Sequence, residues 1–281
     1  MNAYISGEKL QELADLTVIF TDQNHEDLWT VQIHNTSCDY VILKPNDILP
    51  DKIFKAKSIF VYTHALPLFF KRVFPLLTAP VVLITHNSDH GIDGRYIEYL
   101  NDNRIIKWFC QNRLTSHPKL FSIPIGIANS QWEHGDQKTI QNIIQDKNKK
   151  EFLVYKNFDI DTNSHERNMC HAITQQNGIP LSSRTTIPAY WEMLSKSAFV
   201  ISPPGGGVDC HRIWEALYFK TVPIVQQHES FSQFKHLPIL FIQKWEEVTV
   251  PYLRENINKF KEQNWDLNEL NINFWRQRFA V

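Results

Sequence analysis

The chain has 281 residues, of which 43% are hydrophobic and 21% charged, and its formal net charge is −1. This length can bury one large core or two modest ones, and the near-neutral charge provides no basic field that would favour nucleic acid as a partner.

The four scattered cysteines predict reduced thiols, not a disulfide framework. No apolar run reaches the roughly 18 residues of a membrane span, and the first residues lack the pattern of a signal peptide. We therefore expect a cytoplasmic protein, with peripheral contact at the inner face of the cell membrane left open.

The first half of the sequence alternates short apolar runs with polar or amphipathic segments. Buried strands are predicted at 16–20, 29–34, 40–43, 58–62, 80–85, 104–111 and 120–123. A short amphipathic helix is predicted at the N-terminus and an apolar helix over 66–77. Strands that alternate with helices are typical of a parallel sheet covered by helices.

The second half repeats this pattern after a polar stretch over 139–150, which we interpret as the end of a helix and a linker. Strands are predicted at 152–155, 198–201, 222–225 and 237–243, and helices over 163–175, 187–195, from 212 onward, and over most of 251–279. The expected fold class is α/β, with two Rossmann-like lobes facing a cleft. The predicted domains are 1–148, an acceptor-side lobe; 149–255, a nucleotide-sugar-binding lobe; and 256–281, a helical tail for which packing on the first lobe is left open.

The most informative stretch is the βαβ unit around a triple glycine. An apolar strand ends in Ser202-Pro203-Pro204, and Gly205, Gly206 and Gly207 follow before the next helix. Glycines let the backbone approach a ligand closely, and the N–H groups of the helix N-terminus favour an anion. His211 and Arg212 could donate to phosphate oxygens, and Glu215, one turn inside, could accept from two sugar hydroxyls. The alternative is a tight turn with Glu215 on a solvated face.

The residues from Ser202 to Leu217, followed by Thr221 to Val225, resemble the donor-sugar motif of exostosin-type glycosyltransferases and their bacterial and viral relatives. The resemblance extends to Trp108–Asn112, His117–Leu120 and Ile123–Asn129, and covers about half of the chain. It departs from the family at Lys220, where a glycine is common. The resemblance implies a GT-B fold, a nucleoside-diphosphate-sugar donor and inversion at the anomeric carbon.

Further donor-site candidates are Lys156, Arg167 and Arg184, each of which could equally be an ordinary structural or surface residue. Asp209 is expected to cap the following helix, and Trp214 to lie in the core.

In the first lobe, the polar loop that starts at His86 follows the clearest strand. Sugar transfer with inversion needs a general base for the acceptor hydroxyl, for which Asp89 is the first candidate and His86 the second. The alternative is a loop whose side chains make turn bonds only. Candidate acceptor-side residues are Asn87, Asn112, Asn129 and His134.

No metal site is predicted. His86 and His90 have a zinc-like spacing but follow a strand, and Asp159-Ile160-Asp161 is only a weak candidate for holding a metal-bound diphosphate. The sequence thus predicts a glycosyltransferase that moves a hexose or pentose from a nucleoside-diphosphate sugar, uridine diphosphate being the default, to a glycan or lipid-linked saccharide in surface polysaccharide synthesis. It would use no cofactor. The alternatives are a non-catalytic nucleotide- or glycan-binding module and a sugar-phosphate transferase.

Overall fold

The computed structural model describes residues 4–21, 37–146 and 149–279. It divides the chain into two compact units, Met1–Ile125 with Asn271–Val281, and Gly126–Leu270. The predicted strand at 29–34 lies outside the described residues. The chain therefore completes the second unit before its last helix joins the first.

The first unit is built on a parallel sheet. Its strands in the described residues are Leu16–Phe20 (β1), Tyr40–Leu43 (β2), Ser58–Tyr62 (β3), Val81–His86 (β4), Ile105–Cys110 (β5) and Leu120–Ser122 (β6). They lie in the order β2-β1-β3-β4-β5-β6, and every pairing is parallel. The strand order reverses between β1 and β3, as in doubly wound α/β folds. β3 and β4 are buried along their whole length, as expected for strands with both faces covered.

The second unit carries another parallel sheet, formed in its described part by Phe152–Tyr155 (β7), Ser197–Ile201 (β8), Val222–Gln226 (β9) and Leu240–Ile242 (β10). The order is β10-β9-β8-β7, so each successive strand is added at the same edge. Phe199 of β8 is completely buried and meets the ring of Phe260 edge to face at 6.0 Å. The α/β class with two Rossmann-like parallel-sheet units is thus confirmed.

Helices connect the strands. In the described ranges the α-helices are Gly7–Gln11 (α1), Asp51–Lys55 (α2), Leu66–Arg72 (α3), Ile97–Asn101 (α4), Gln137–Gln145 (α5), Ser164–Gln176 (α6), Ile187–Ser195 (α7), His211–Tyr218 (α8), Val250–Glu262 (α9) and Ile272–Phe279 (α10). Short 3-10 turns cover Thr63–Ala65, Phe74–Leu76, Gly94–Tyr96, Glu133–Gly135, Ile160–Asn163, Glu229–Phe234, Trp245–Glu247 and Asn268–Leu270. Among the residues that the structure describes, no helix is long and apolar enough to cross a membrane.

The predicted helix over 66–77 is shorter in the structure. The segment 66–77 was expected to be one helix, but α3 ends at Arg72 and a 3-10 turn follows over Phe74–Leu76. The reason is Pro75, which lacks an N–H group and restricts the residue before it. The polar stretch at 139–150 does contain the end of a helix, as predicted: α5 ends at Gln145, and its N-terminus is capped by the Asp136 carboxylate.

Candidate functional site

The loop after β8 leads directly into helix α8. The Ser202 N–H donates to the Ile224 carbonyl at 3.0 Å, and the Gly205 N–H donates to the Gly207 carbonyl at 2.9 Å. Helix α8 starts after Cys210, an extended N-cap residue whose side chain makes no capping bond. Its first N–H groups therefore keep donor capacity at the carboxyl edge of the sheet.

Asp209 does not cap this helix, contrary to the prediction. It lies one residue before the N-cap, and its Oδ1 accepts a 2.8 Å hydrogen bond from the indole Nε1–H of Trp214. Trp214 is completely buried, as predicted. A buried indole N–H needs an acceptor, and Asp209 supplies it. The carboxylate thus fixes the loop to the first turn of α8.

Arg212 and Glu215 lie one helical turn apart on α8 and line the same cavity. Glu215 is only 2% exposed; its Oε2 accepts a 3.1 Å bond from the Tyr190 hydroxyl, while its Oε1 is buried without a hydrogen-bond partner in the described structure. The Nε and Nη1 atoms of Arg212 are likewise buried and unpartnered. Unsatisfied buried polar atoms are costly and rare in native proteins. Here unpartnered donors and an unpartnered acceptor belong to two residues that line one cavity, which is the arrangement expected where a polar ligand completes the site.

Two arginines form a local positive site on the wall of this cavity. Arg167 and Arg212 each place their guanidinium carbon 5.8 Å from the centre of the Phe158 ring. Burial, followed by the positive charge of Arg212, lowers the pKa of Arg167. Burial also opposes the charge of Arg212, but Tyr190, Cys210 and Glu215 outweigh it and raise its pKa. Two partly desolvated cations on one ring are stabilised by a negatively charged ligand.

The position of Arg167 is fixed by the backbone. Its Nε donates to the Pro204 carbonyl at 2.8 Å, and its Nη1 donates to the Asp159 carbonyl. A Cβ added at Gly205 would lie 3.0 Å from its Nη2, so the glycine allows the close approach of this side chain. Arg167 therefore contributes charge from a position held by two carbonyl groups.

Cavity A, defined here by the residues around Arg212 and Glu215, has a volume of about 1170 Å³ and lies wholly within the second unit. Arg167, Arg184, His211 and His134 also line it. The Nδ1–H of His211 donates to the Gly126 carbonyl at 2.8 Å. Such a volume suits a ligand with several polar groups.

The glycine loop lines a different space. Gly205, Gly206 and Gly207 line a cavity of about 370 Å³, which we call cavity B. It is also lined by residues at or just after the ends of β9 and β10, namely Gln226, Gln227, His228 and Gln243. The bond from Arg167 to the Pro204 carbonyl lies where the two cavities adjoin, because Glu166 lines cavity B and Arg167 lines cavity A. The glycines thus line a different cavity from Arg212 and Glu215, although the sequence predicted one binding site for all of them.

Lys156 lines neither of these cavities. It is 1% exposed, and its Nζ donates to the Thr174 hydroxyl at 3.0 Å in the last turn of helix α6. Burial lowers its pKa. Lys156 therefore joins β7 to α6 in the structure, and no contact of its ammonium points to phosphate.

The predicted catalytic residues lie at the carboxyl end of β4 in the first unit. His86 is 1% exposed; its Nε2–H donates to the Pro124 carbonyl at 3.0 Å, and its Nδ1 lies 3.1 Å from Asn87 Oδ1. Gly7 packs directly on this pair, since a Cβ added there would lie 1.7 Å from Asn87 Oδ1. Asp89 is exposed, and its carbonyl accepts a 3.3 Å bond from Asn112 Nδ2. Of the two candidates, Asp89 has the accessible side chain.

The predicted acceptor-side residues fall into two groups. Asn87 and Asn112 belong to the first unit and adopt the left-handed conformation, with φ of 57° and 54°. Asn129 and His134 belong to the second unit, where the 3-10 turn Glu133–Gly135 places His134 on cavity A with the exposed Trp132. His134 is therefore near the predicted donor-site residues.

Tyr190 and Phe158 line cavity A and were not among the predicted site residues. Tyr190 is buried, and its pKa is raised well above 10 by burial and by the charge of Glu215, so the hydroxyl remains a donor to that carboxylate. Both residues read as core positions in the sequence. Only the position of Phe158 just after β7 could have suggested a site residue.

In the part of the chain that the structure describes, no group of three or more histidine, cysteine, aspartate or glutamate side chains could hold a metal ion.

Comparison with known proteins gives one match to a family model. Residues 147–281 match the RXYLT1 C-terminal domain, just under half of the chain, and this region includes Arg167, the glycine loop, Arg212 and Glu215. The second half of the chain is thus similar to this domain, and the exostosin-type motif itself stays a prediction. Among curated proteins, none matches the chain.

Solved structures resemble the chain only weakly. One is the UDP-GlcNAc 2-epimerase of Neisseria meningitidis bound to UDP-GlcNAc, with a TM-score of 0.41 and 12% identity over 94% of this chain and 97% of that chain. Another is the UDP-GlcNAc 2-epimerase of Methanocaldococcus jannaschii, with a TM-score of 0.36 and 9% identity over the same shares. Similarities at this level support no conclusion about function.

Proposed function

We propose that the chain is a glycosyltransferase that moves a hexose or pentose from a nucleoside-diphosphate sugar to a hydroxyl of a glycan or lipid-linked saccharide. The reaction proceeds with inversion and without a metal ion. The observation that carries this proposal is the Arg212–Glu215 pair, which lines one cavity beside a second arginine and has buried side-chain atoms without hydrogen-bond partners. The similarity of residues 147–281 to the RXYLT1 C-terminal domain gives independent support.

In this proposal the nucleoside diphosphate lies in cavity A. The Nε and Nη1 atoms of Arg212 donate to the diphosphate, and Arg167 adds a second positive charge. Glu215, held by the Tyr190 hydroxyl, accepts hydrogen bonds from the ribose through Oε1. These contacts satisfy the atoms that lack partners in the unliganded structure.

The transfer is a single displacement. A base removes the proton of the acceptor hydroxyl, its oxygen attacks the anomeric carbon, and the bond from that carbon to the diphosphate oxygen breaks. Arg212 and Arg167 stabilise the charge that develops on the departing diphosphate. We assign the base to Asp89, whose side chain is exposed, ahead of the enclosed His86.

The experiment is a thermal-shift series with uridine, guanosine, cytidine and adenosine diphosphates and their sugars, with and without EDTA. We expect one nucleotide series to raise the Tm of the wild type by about 5 °C at 100 times its Kd, by mass action. Arg212→Met and Glu215→Gln lose this shift, and the matched control Arg254→Met, an exposed arginine on α9, keeps it. A wild type that responds to no nucleotide would contradict the proposal and favour a glycan-binding module.

A further inference from the structure

Cavities A and B of the second unit have different chemistry. Cavity A is lined by three arginines, Arg167, Arg184 and Arg212, and by four acidic side chains, Glu133, Asp159, Asp161 and Glu215. Among the residues lining cavity B there is no lysine or arginine, and its only formally charged side chain is Glu166. The paired guanidinium groups of Arg167 and Arg212 provide the place for an anionic group in cavity A, and cavity B suits a neutral polar ligand.

The polar groups of cavity B match sugar hydroxyls. Gln226, Gln227 and Gln243 each carry an amide that both donates and accepts, as a hydroxyl does. The Gln227 N–H donates to the Ile242 carbonyl at 2.8 Å, which fixes this residue between β9 and β10. The Gln227 and Gln243 side chains are exposed and available to a ligand.

His228 adds a donor of known tautomer. Its Nδ1 accepts the Ser230 N–H at 3.1 Å, so the neutral ring carries its proton on Nε2. Burial lowers the pKa of this imidazole, which favours the neutral ring. With the Phe231 ring, the cavity combines amides, an imidazole and an aromatic surface within about 370 Å³, in the range of ligand pockets.

The glycine loop forms the border between the cavities. Gly205 to Gly207 line cavity B, and His211 and Arg212, a few residues further on, line cavity A. A diphosphate bound at Arg212 can thus extend toward the glycine backbone, where the Arg167 guanidinium lies beside Gly205.

We propose that cavity B is the subsite for the transferred sugar of the donor and that it selects a neutral sugar. This inference rests on the proposed function, since it needs the nucleoside diphosphate in cavity A. The amides of Gln227 and Gln243 bind the sugar hydroxyls, and the Glu166 carboxylate disfavours a sugar acid. The donor then lies across the glycine loop, with its nucleotide on the β7 side and its sugar on the β9 side.

The test is a calorimetric titration of the full chain with uridine diphosphate, UDP-glucose, UDP-xylose, UDP-N-acetylglucosamine and UDP-glucuronate, and with the guanosine diphosphate and GDP-mannose pair. We expect Gln227→Ala and Gln243→Ala each to weaken the binding of the preferred sugar nucleotide by about five- to tenfold, as for one lost hydrogen bond. The affinity of each variant for the free diphosphate should stay within about twofold of the wild-type affinity. The matched control is Gln176→Ala, an exposed glutamine at the opposite end of α6 from Asn163.

Discrimination against the sugar acid gives a second readout. Wild type is expected to bind UDP-glucuronate at least tenfold more weakly than UDP-glucose, and Glu166→Gln to narrow that ratio. If the glutamine variants weaken the binding of the diphosphate and of the sugar nucleotide equally, or weaken neither, the sugar subsite is overturned. The proposed function would remain intact. Absence of any nucleotide binding to the wild type would overturn both.

Discussion

Arg212 and Glu215 hold buried polar atoms that the unliganded protein does not satisfy. Such atoms lower stability, and a protein retains them where a ligand uses them. The cost is confined to one turn of α8, because Ile213 and Trp214 between them are fully buried in the core.

The double variant Arg212→Met/Glu215→Gln tests this interpretation. It removes both charges at nearly constant volume and leaves a carbonyl oxygen to accept from Tyr190. We expect the unliganded variant to equal or exceed the stability of the wild type, by up to about 4 kcal/mol. Chemical denaturation measures this, and a loss of more than about 1 kcal/mol would show that the pair is structural.

Asp89 and His86 are predicted to differ in what their substitution changes. Asp89→Asn should lower kcat by at least about 100-fold, as for loss of a general base, with the donor Kd unchanged. His86→Phe should instead lower Tm, because it removes the buried bond to the Pro124 carbonyl. Steady-state kinetics and thermal melting distinguish the two, and an Asp89→Asn enzyme of normal kcat would exclude the assignment.

At the level of single elements, helix α4 is joined to strand β5 by an ion pair. The Asp102 carboxylate accepts from Arg104 Nη2 at 2.8 Å, and Arg104 Nη1 donates to the Phe74 carbonyl at 2.9 Å. Arg104 lowers the pKa of Asp102 to about 2, below the 3.8 of the unfolded chain. The pair therefore stabilises the fold above about pH 4 and loses this contribution as the pH falls through 2.

The pH dependence of Asp102→Asn follows from these values. We expect the variant to melt below the wild type at pH 7, and the difference in unfolding free energy to fall by about half at pH 3. Thermal melts of both proteins at the two pH values measure it. A difference that stays constant between pH 7 and pH 3 would contradict the pairing.

The sequence predicts elements best where periodicity and burial coincide. The strands β1, β2, β3 and β7 and the helix α7 have the predicted bounds, because each is a compact apolar run bounded by polar residues. Helices of five residues such as α2 and α4 were missed, since so short a segment has no period to detect.

The sequence predicts which residues belong to the site, but it does not predict which of their side chains contact each other or which cavity each one lines. Arg167, Arg212 and Glu215 could be named from their order along the chain, and they do line one cavity. Tyr190 is 25 residues from its partner Glu215, and a single sequence carries no signal for that pairing. Which way Lys156 turns, and which cavity the glycines face, depends on packing between elements.

At the level of the whole molecule, the last helix completes the first unit. Trp275 is 2% exposed and meets Phe109 of β5 edge to face at 6.5 Å, and the Phe279 ring lies 4.7 Å from the same side chain. Trp275→Ala should cost about 3–5 kcal/mol. Hydrogen exchange should then show lost protection in β5 and β6 before β8 and β9, and equal loss in all four strands would contradict the division into units.

The central claim is that Arg212 and Glu215 hold a nucleoside diphosphate in the second unit. Its most direct test is a crystal structure of the chain with the diphosphate that gives the largest thermal shift. We predict phosphate oxygens within about 3 Å of Arg212 Nε and Nη1 and ribose hydroxyls at Glu215 Oε1. A nucleotide bound elsewhere, with the Arg212 and Glu215 atoms still unpartnered, would contradict the claim.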